Sequence, residues 1–217
     1  SSNFFRSVIT ASVLNDIYND LTLIRISSGC HSCISLVNIT ALKFALEKEI
    51  PFILAGFTLG QIPSNGVIYK NNYRFLQKSR ESVLNKLREH AGESVNEYYC
   101  ISDSLIDQVK SYPHNMNLLC IEDITEDEIV KTIEPLGWQR PGDVDGCSSN
   151  CRLNTFNNYI HQRKFGYSPY ELELSHLIRK KQLTRAEALE KINDQPEEQL
   201  QSIMKELGIN GEDIDSL

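Results

Sequence analysis

The sequence predicts an α/β protein with a partial parallel sheet and a helical C-terminal extension. Three observations carry that expectation. Pro51–Phe57 (PFILAGF) is a short continuous apolar run that closes on Gly56, the pattern of a parallel strand covered on both faces. Leu118–Ile121 is a second such run. Helical periodicities separate the two, and helix–strand alternation is the order of a parallel sheet with helices packed on it. From Arg152 to Gly208 only helical patterns remain.

At the N-terminus, Phe4, Phe5, Val8, Ile9, Val13, Leu14 and Ile17 recur at helical spacing. After the apolar stretch Leu21–Ile26, a second helix is expected over Ser35–Glu49, with Val37, Ala41, Phe44 and Ala45 on its apolar face. Thr58–Gly66 reads as a Gly/Pro/Asn loop and Asn72–His90 as a long charged helix. Thr125 with Glu128, and Thr184 with Glu187, are capping boxes that open helices. Pro196 stands where a further helix begins, and Gly208 and Gly211 punctuate helix ends. Gly211–Leu217 is acidic and expected to be loose. The expected division falls at residue 146: an α/β part with the first cysteine pair over 1–146, then the second pair and a helical tail over 147–217. Two strands cannot complete a doubly wound sheet, so further strands are expected from upstream of Ser1 or from a partner chain. Exposed sheet edges of that kind favour a homo-oligomer.

The 217 residues fit one domain or a domain with an appendage, and 41% hydrophobic residues suffice for a core. A net charge of −7 and a pI of about 5.3 count against nucleic acid as a partner. No apolar run is long enough to span a bilayer. Ser1–Asp20 reads as an amphipathic helix rather than a secretory signal, which places the protein in a reducing cytoplasm. There the sequon Asn38-Ile39-Thr40 carries no weight. No Ser-His-Asp set, no H-E-x-x-H, no G-x-x-x-x-G-K-[ST] and no S-G-G-x-D-S occurs.

The chemistry-bearing signal is two cysteine pairs, Cys30-His-Ser-Cys33 and Cys147-Ser-Ser-Asn-Cys151. Two or three residues between thiols let both sulfurs reach one ion, and two pairs make a four-thiolate site for zinc or a [4Fe-4S] cluster. Two unrelated pairs of buried thiols is the alternative. Gly29 and Gly146 precede the pairs and favour exposed ligand loops. Cys100 and Cys120 are assigned to the core, where cysteine behaves as a small hydrophobe. Gly56 and Phe57 end the first strand, at the sheet edge where open α/β sheets bind ligands; an ordinary strand-to-loop turn explains them equally. Arg140 lies in the turn Gly137–Asp143 before the second pair. Its guanidinium fork suits a phosphate or carboxylate, although residue type alone favours a surface arginine. Arg152, His161, Arg163 and Lys164 read as a basic patch on one helix, by default a solvated face. Arg179, Lys180 and Lys181 complement a helix C-terminus.

Three segments together resemble the C-terminal part of the PP-loop ATP pyrophosphatases, the adenine nucleotide alpha-hydrolase-like superfamily, nearest to its N-acetyl sugar amidotransferases. They are GCHSC followed by a helix and IPFILAGF, then LGWQRPGDVDGCSSNCRLN, then FGYSPYELELSHLIRKKQLTRAEALEKI. Members of that superfamily begin with a strand and an S-G-G-x-D-S phosphate loop, which would precede Ser1. The resemblance implies that residues 1–146 are the C-terminal part of a nucleotide-binding domain. It further implies ATP with magnesium, adenylation of a substrate oxygen, and displacement of AMP by a nitrogen or sulfur nucleophile. A nucleotide and a sugar-type molecule would be the ligands, in surface polysaccharide synthesis, with a partner chain supplying ammonia or the phosphate loop. Gly56 and Phe57 would line the nucleotide side, the four cysteines the metal site beside it, and Arg140 the adenylate or anionic substrate. Two alternatives stay open: a [4Fe-4S]-dependent thiolation enzyme, and a non-catalytic zinc-stabilised subunit lacking the phosphate loop.

Overall fold

In a computed structural model of the chain, the residues described are 29–58, 60–62, 66–122, 124–142, 144–147, 151–194 and 196–210. The expected opening helix, the stretch Leu21–Ile26, and Gly211 with the acidic end lie outside them. The first described element is helix α1 (Gly29–Glu47), followed by strands β1 (Phe52–Leu54) and β2 (Ile68–Lys70). Helices α2 (Tyr73–Ala91), α3 (Val95–Tyr99) and α4 (Asp103–Gln108) lead to strand β3 (His114–Met116). Helices α5 (Glu126–Ile133), α6 (Asn154–Phe165), α7 (Glu171–Arg179), α8 (Arg185–Asn193) and α9 (Glu197–Leu207) complete the set, so the stretch after Arg152 is helical as expected. Among the described residues no helix is long and apolar enough to cross a membrane.

The strands form a mixed sheet in the order β1-β3-β2. His114 N donates to Pro51 O and Ala55 N to Met116 O, a parallel register between β1 and β3. Asn71 N donates to Pro113 O and Asn117 N to Val67 O, which makes β2 antiparallel to β3. The expected strand at PFILAGF therefore exists and is parallel, but it is not covered on both faces: Phe52 is 54% and Leu54 67% exposed. The second expected strand is corrected. Leu118–Cys120 is a 3-10 turn, and the chain enters the sheet just before it through the polar triplet His-Asn-Met. Buried Asn115 is tolerated there because its Oδ1 accepts from Asn71 Nδ2 at 2.7 Å.

Contacts divide the described residues into two compact units that are not consecutive stretches of chain. The first holds those up to Ile53, Lys70–Asn115 and those from Lys205; the second holds Leu54–Tyr69 and Met116–Met204. In the first unit, Leu36, Ile39, Leu42 and Leu46 of α1 pack with Tyr73 and Ile101. The Tyr73 hydroxyl accepts from Ile101 N and donates to Ile101 O, closing that core on the backbone. Val83, Leu84 and Leu87 of α2 bury with Val95. The N-cap Asn72 accepts from Phe75 N and starts α2 where expected.

Helix α1 departs from expectation in both its start and its face. It begins at Gly29, so the first cysteine pair lies in its opening turn rather than in a loop. Its buried stripe is Ser32, Ser35, Leu36, Ile39, Leu42, Ala45 and Leu46, so Ala45 of the expected face is buried while Val37 and Phe44 face solvent. Two serines at the head of the stripe hide the periodicity from an apolar count.

In the second unit both expected capping boxes form, at Thr125–Glu128 and Thr184–Glu187, and open α5 and α8. Leu200, Ile203 and Met204 on α9 are buried, as are Phe156 and Ile160 on α6. Pro196 stands directly before α9, and Gly208 takes a left-handed φ of 68° at its end. Arg152 precedes α6 instead of lying on it, so the expected basic patch is only partly one helix.

Candidate functional site

The second unit encloses a cavity of about 460 Å³, within the range of small-molecule sites. Two helices each contribute one face to its wall by the same arithmetic. On α5, Glu126, Ile129, Val130 and Ile133 line it. On α7 and its N-cap, Tyr170, Glu173, Leu174 and Leu177 do so. Both sets follow the i, i+3, i+4, i+7 spacing of one helix face. Each face therefore carries one glutamate inside an aliphatic stripe. Gly56, Phe57, Thr58 and Gln61 after β1, with Trp138, Cys147 and Lys191, contribute the remaining polar and aromatic surface.

Two glycines set the spacing of these walls. Gly60 has φ +89°, and a Cβ there would stand 2.8 Å from the carbonyl oxygen of Glu173. Only glycine allows the loop after β1 to lie on the α7 backbone. Gly146 packs against the end of α8, where a Cβ would meet the Lys191 carbonyl oxygen at 2.9 Å. Its N–H donates to Asp194 O at 3.3 Å. Cys147 is thereby laid on α8, with Sγ 3.5 Å from the Lys191 carbonyl oxygen.

Buried Asp145 anchors the same turn. It accepts from Cys147 N at 2.8 Å, from Asn154 Nδ2 at 2.8 Å and from Asn158 Nδ2 at 3.3 Å. Asn154 Nδ2 also reaches Tyr170 Oη at 2.8 Å, which links the turn to the N-cap of α7. On the opposite side Cys120 Sγ donates to Phe57 O at 3.1 Å, and burial pushes its thiol up. Cys120 is thus half-buried in a turn, not in the core strand expected of it.

Charge is concentrated on one side. Lys191 Nζ meets Glu126 Oε2 at 2.8 Å, and Arg140 Nη1 meets Glu126 Oε1 at 3.6 Å. Burial pushes the Glu173 carboxyl up to about 7, opposed by a hydrogen bond from Gln61, reinforced by Glu126 and offset by Lys191. Burial, with Asp145 next, pushes the Cys147 thiol up to about 12. A cavity wall with a carboxyl that exchanges its proton near neutrality can do acid–base work.

Of the residues singled out from sequence, Gly56, Phe57 and Cys147 line this cavity, and Arg140 pairs with Glu126 at its wall. Cys151 is half-buried in the turn before α6, and Cys33 is exposed. The side chain of Cys30 lies outside the described residues. Among the described residues no three His, Cys, Asp or Glu side chains gather where a metal could be held. Sequence reasoning missed Glu126, Glu173 and Lys191. The signal was present for the glutamates: each occupies an apolar helix face at core spacing.

Residues 145–217 match the model of a family described as LPS biosynthesis protein WbpG-like, C-terminal domain. The matched segment begins at Asp145 and includes Cys147, Tyr170, Glu173 and Lys191, which form one side of the cavity. No curated protein matches the sequence at a significant level.

Proposed function

We propose that the chain acts in surface polysaccharide biosynthesis, as part of an ATP-dependent, AMP-forming amidotransferase for a sugar-type substrate. The observation that carries the reading is the match of residues 145–217 to a family described by LPS biosynthesis. The finer chemistry rests on the resemblance to PP-loop pyrophosphatases and on Gly56 and Phe57 lining a cavity with a titratable carboxyl. An adenine nucleotide alpha-hydrolase-like fold and a cytoplasmic location belong to the same proposal.

Adenylation turns a poor leaving oxygen into a good one. The attacking nitrogen then forms the new carbon–nitrogen bond, and AMP departs with the electron pair of the broken carbon–oxygen bond. Phe57 and Trp138 offer apolar faces to the reactants, and the backbone at Gly56 has open space beside it. Lys191 lines the cavity and Arg140 meets Glu126 at its wall, and Glu126 holds both in place until a phosphate competes for them. The partners in this reading are ATP with magnesium, the sugar-type substrate, and a chain supplying ammonia or the phosphate loop, in a homo-oligomer.

A four-thiolate donor set of Cys30, Cys33, Cys147 and Cys151 suits zinc or a [4Fe-4S] cluster by its chemistry. A thiol as weakly acidic as Cys147 ionises on binding a cation. A closed zinc site of this kind contributes folding energy rather than a reaction step.

The test has two arms. Deleting the gene should remove one amidated sugar from the surface polysaccharide and leave the rest of its composition unchanged. Protein purified with its native partners, given ATP, a UDP-N-acetyl sugar and ammonium, should release AMP and pyrophosphate in step with amidine formation. An unaltered polysaccharide together with no AMP release would refute the proposal.

A further inference from the structure

We propose that His161, Phe165 and Tyr167 form a stacking platform for the base of a nucleotide-linked sugar, with Lys164 placed for its phosphate. The inference rests on the amidotransferase reading for the choice of ligand and names the form in which the sugar arrives. The platform lies in the second unit and inside the segment 145–217 matched by the family model.

Local sequence builds it. Helix α6 ends at Phe165, and Gly166 stops it with a left-handed φ of 78°. The Gly166 N–H donates to Gln162 O at 2.8 Å, and the reversal lays Tyr167 back over the last turn. The His161 ring then stands 4.6 Å from the ring of Phe165 and 5.0 Å from that of Tyr167, nearly perpendicular to the latter. Phe165 and Tyr167 are 6.3 Å apart. Packing of Tyr167 on His161 is the usual apolar contact beside a helix-ending glycine. That contact does not account for Phe165, which stays 53% exposed, or for the 43% exposure of Tyr167 itself. Apolar side chains clustered at a surface, rather than scattered, mark binding surfaces.

The neighbouring groups say what would bind. Flat open rings suit a nucleobase, which stacks on aromatic side chains whatever its identity. Lys164 Nζ lies 5.4 Å from the Phe165 ring centroid, and among the described residues it makes no ion pair. On a chain of net charge −7, a cation beside that ring complements a phosphate attached to the stacked base. His161 Nδ1 is 3.0 Å from the Tyr167 carbonyl oxygen, which only accepts. In the neutral ring Nδ1 therefore carries the hydrogen, and Nε2 keeps a lone pair for a ribose hydroxyl or a base N–H. Gly166 leaves room beside the rings, since a Cβ there would meet nothing within 4 Å. Only Ser168 and Pro169 separate Tyr167 from Tyr170, which lines the cavity. Three residue steps reach at most about 11 Å, so a nucleotide on the platform can hold its sugar near the cavity. ATP takes the strand end at Gly56 and Phe57 in the amidotransferase reading, which leaves the platform to the nucleotide that carries the sugar.

Calorimetry with UDP, UDP-N-acetylglucosamine and ATP, on protein purified with its native partners, tests the assignment. Phe165→Leu keeps an apolar side chain and removes the ring, and at an exposed position it should leave Tm unchanged. It should weaken UDP and the UDP sugar about 10-fold. Lys164→Gln should weaken both about 5-fold at low salt and less at high salt. Both variants should bind ATP as the wild type does. In the AMP-forming assay, Phe165→Leu should raise KM for the UDP sugar by about the same factor as it weakens binding.

A wild type that binds neither UDP nor the UDP sugar, or variants that bind them equally well, overturns the inference. AMP formation in the same preparation then leaves the amidotransferase reading standing. ATP weakened in step with UDP would assign the platform to the cosubstrate and overturn the inference as well. UDP binding that depends on Phe165, in a wild type that forms no AMP, refutes the amidotransferase reading and leaves the nucleotide platform in place.

Discussion

Replacing Glu173 by glutamine should make the protein more stable at alkaline pH and erase part of its pH dependence. The folded state holds the proton of Glu173 up to about pH 7, whereas an unfolded glutamate releases it near 4.5. Between those values the native state binds more protons than the unfolded state, so stability falls as pH rises. The benefit is complete below the unfolded value and gone above the folded one. Over that interval, at about 1.36 kcal/mol per pH unit, the wild type loses about 3 kcal/mol. Glu173 is half-buried, and solvent screening trims the figure toward about 2 kcal/mol. Glutamine keeps the shape and carries no charge to desolvate, so the variant lacks this slope. Urea unfolding at pH 5, 6, 7 and 8, followed by Trp138 emission, measures it. The two proteins should be close at pH 5 and differ by about 2 kcal/mol at pH 8, with glutamine ahead. Parallel curves would refute the burial argument, and a wild type that gains on the variant with rising pH would reverse its sign.

Gly60→Ala should cost about 2–4 kcal/mol, combining left-handed strain with a backbone clash, because its Cβ would stand 2.8 Å from the Glu173 carbonyl oxygen. Gly166→Ala, also at positive φ but with nothing within 4 Å, should cost only about 1 kcal/mol; equal losses in unfolding would refute the packing account. Asp145→Ala leaves three N–H donors without their acceptor and should destabilise by about 3 kcal/mol, seen as a lower Tm. An unchanged Tm would show that water replaces the carboxylate. If the cysteine pairs share a metal, Cys30→Ser and Cys147→Ser should lower bound zinc and Tm equally; zinc unchanged in either variant would separate the pairs.

Local chemistry was legible wherever one residue decides a backbone outcome. The boxes at Thr125 and Thr184, Pro196 before α9 and Gly208 after it each act within one turn. Short strands were not legible. Leu118–Ile121 is an apolar run too short to show a period, so it reads as a strand and folds as a 3-10 turn. His114–Met116 has the opposite disguise, since its place in the sheet depends on Asn71, far away in sequence. Helix α1 hid its inner face for a related reason, with serines where an apolar count looks for leucine.

The cavity divides along the same line. Sequence by itself determined the cysteine spacing, a glycine just beyond the first strand, which ends at Leu54 rather than Gly56, and two helix faces with one glutamate each. Periodicity says which residues share a face but not what that face meets. Tertiary structure alone decided that Glu126 is occupied by Lys191 and Arg140 while Glu173 is half-buried in the cavity wall beside the Gln61 amide. Two glutamates at equivalent helical positions thus acquire different proton affinities, because desolvation and ion pairing are properties of the neighbours that folding brings in.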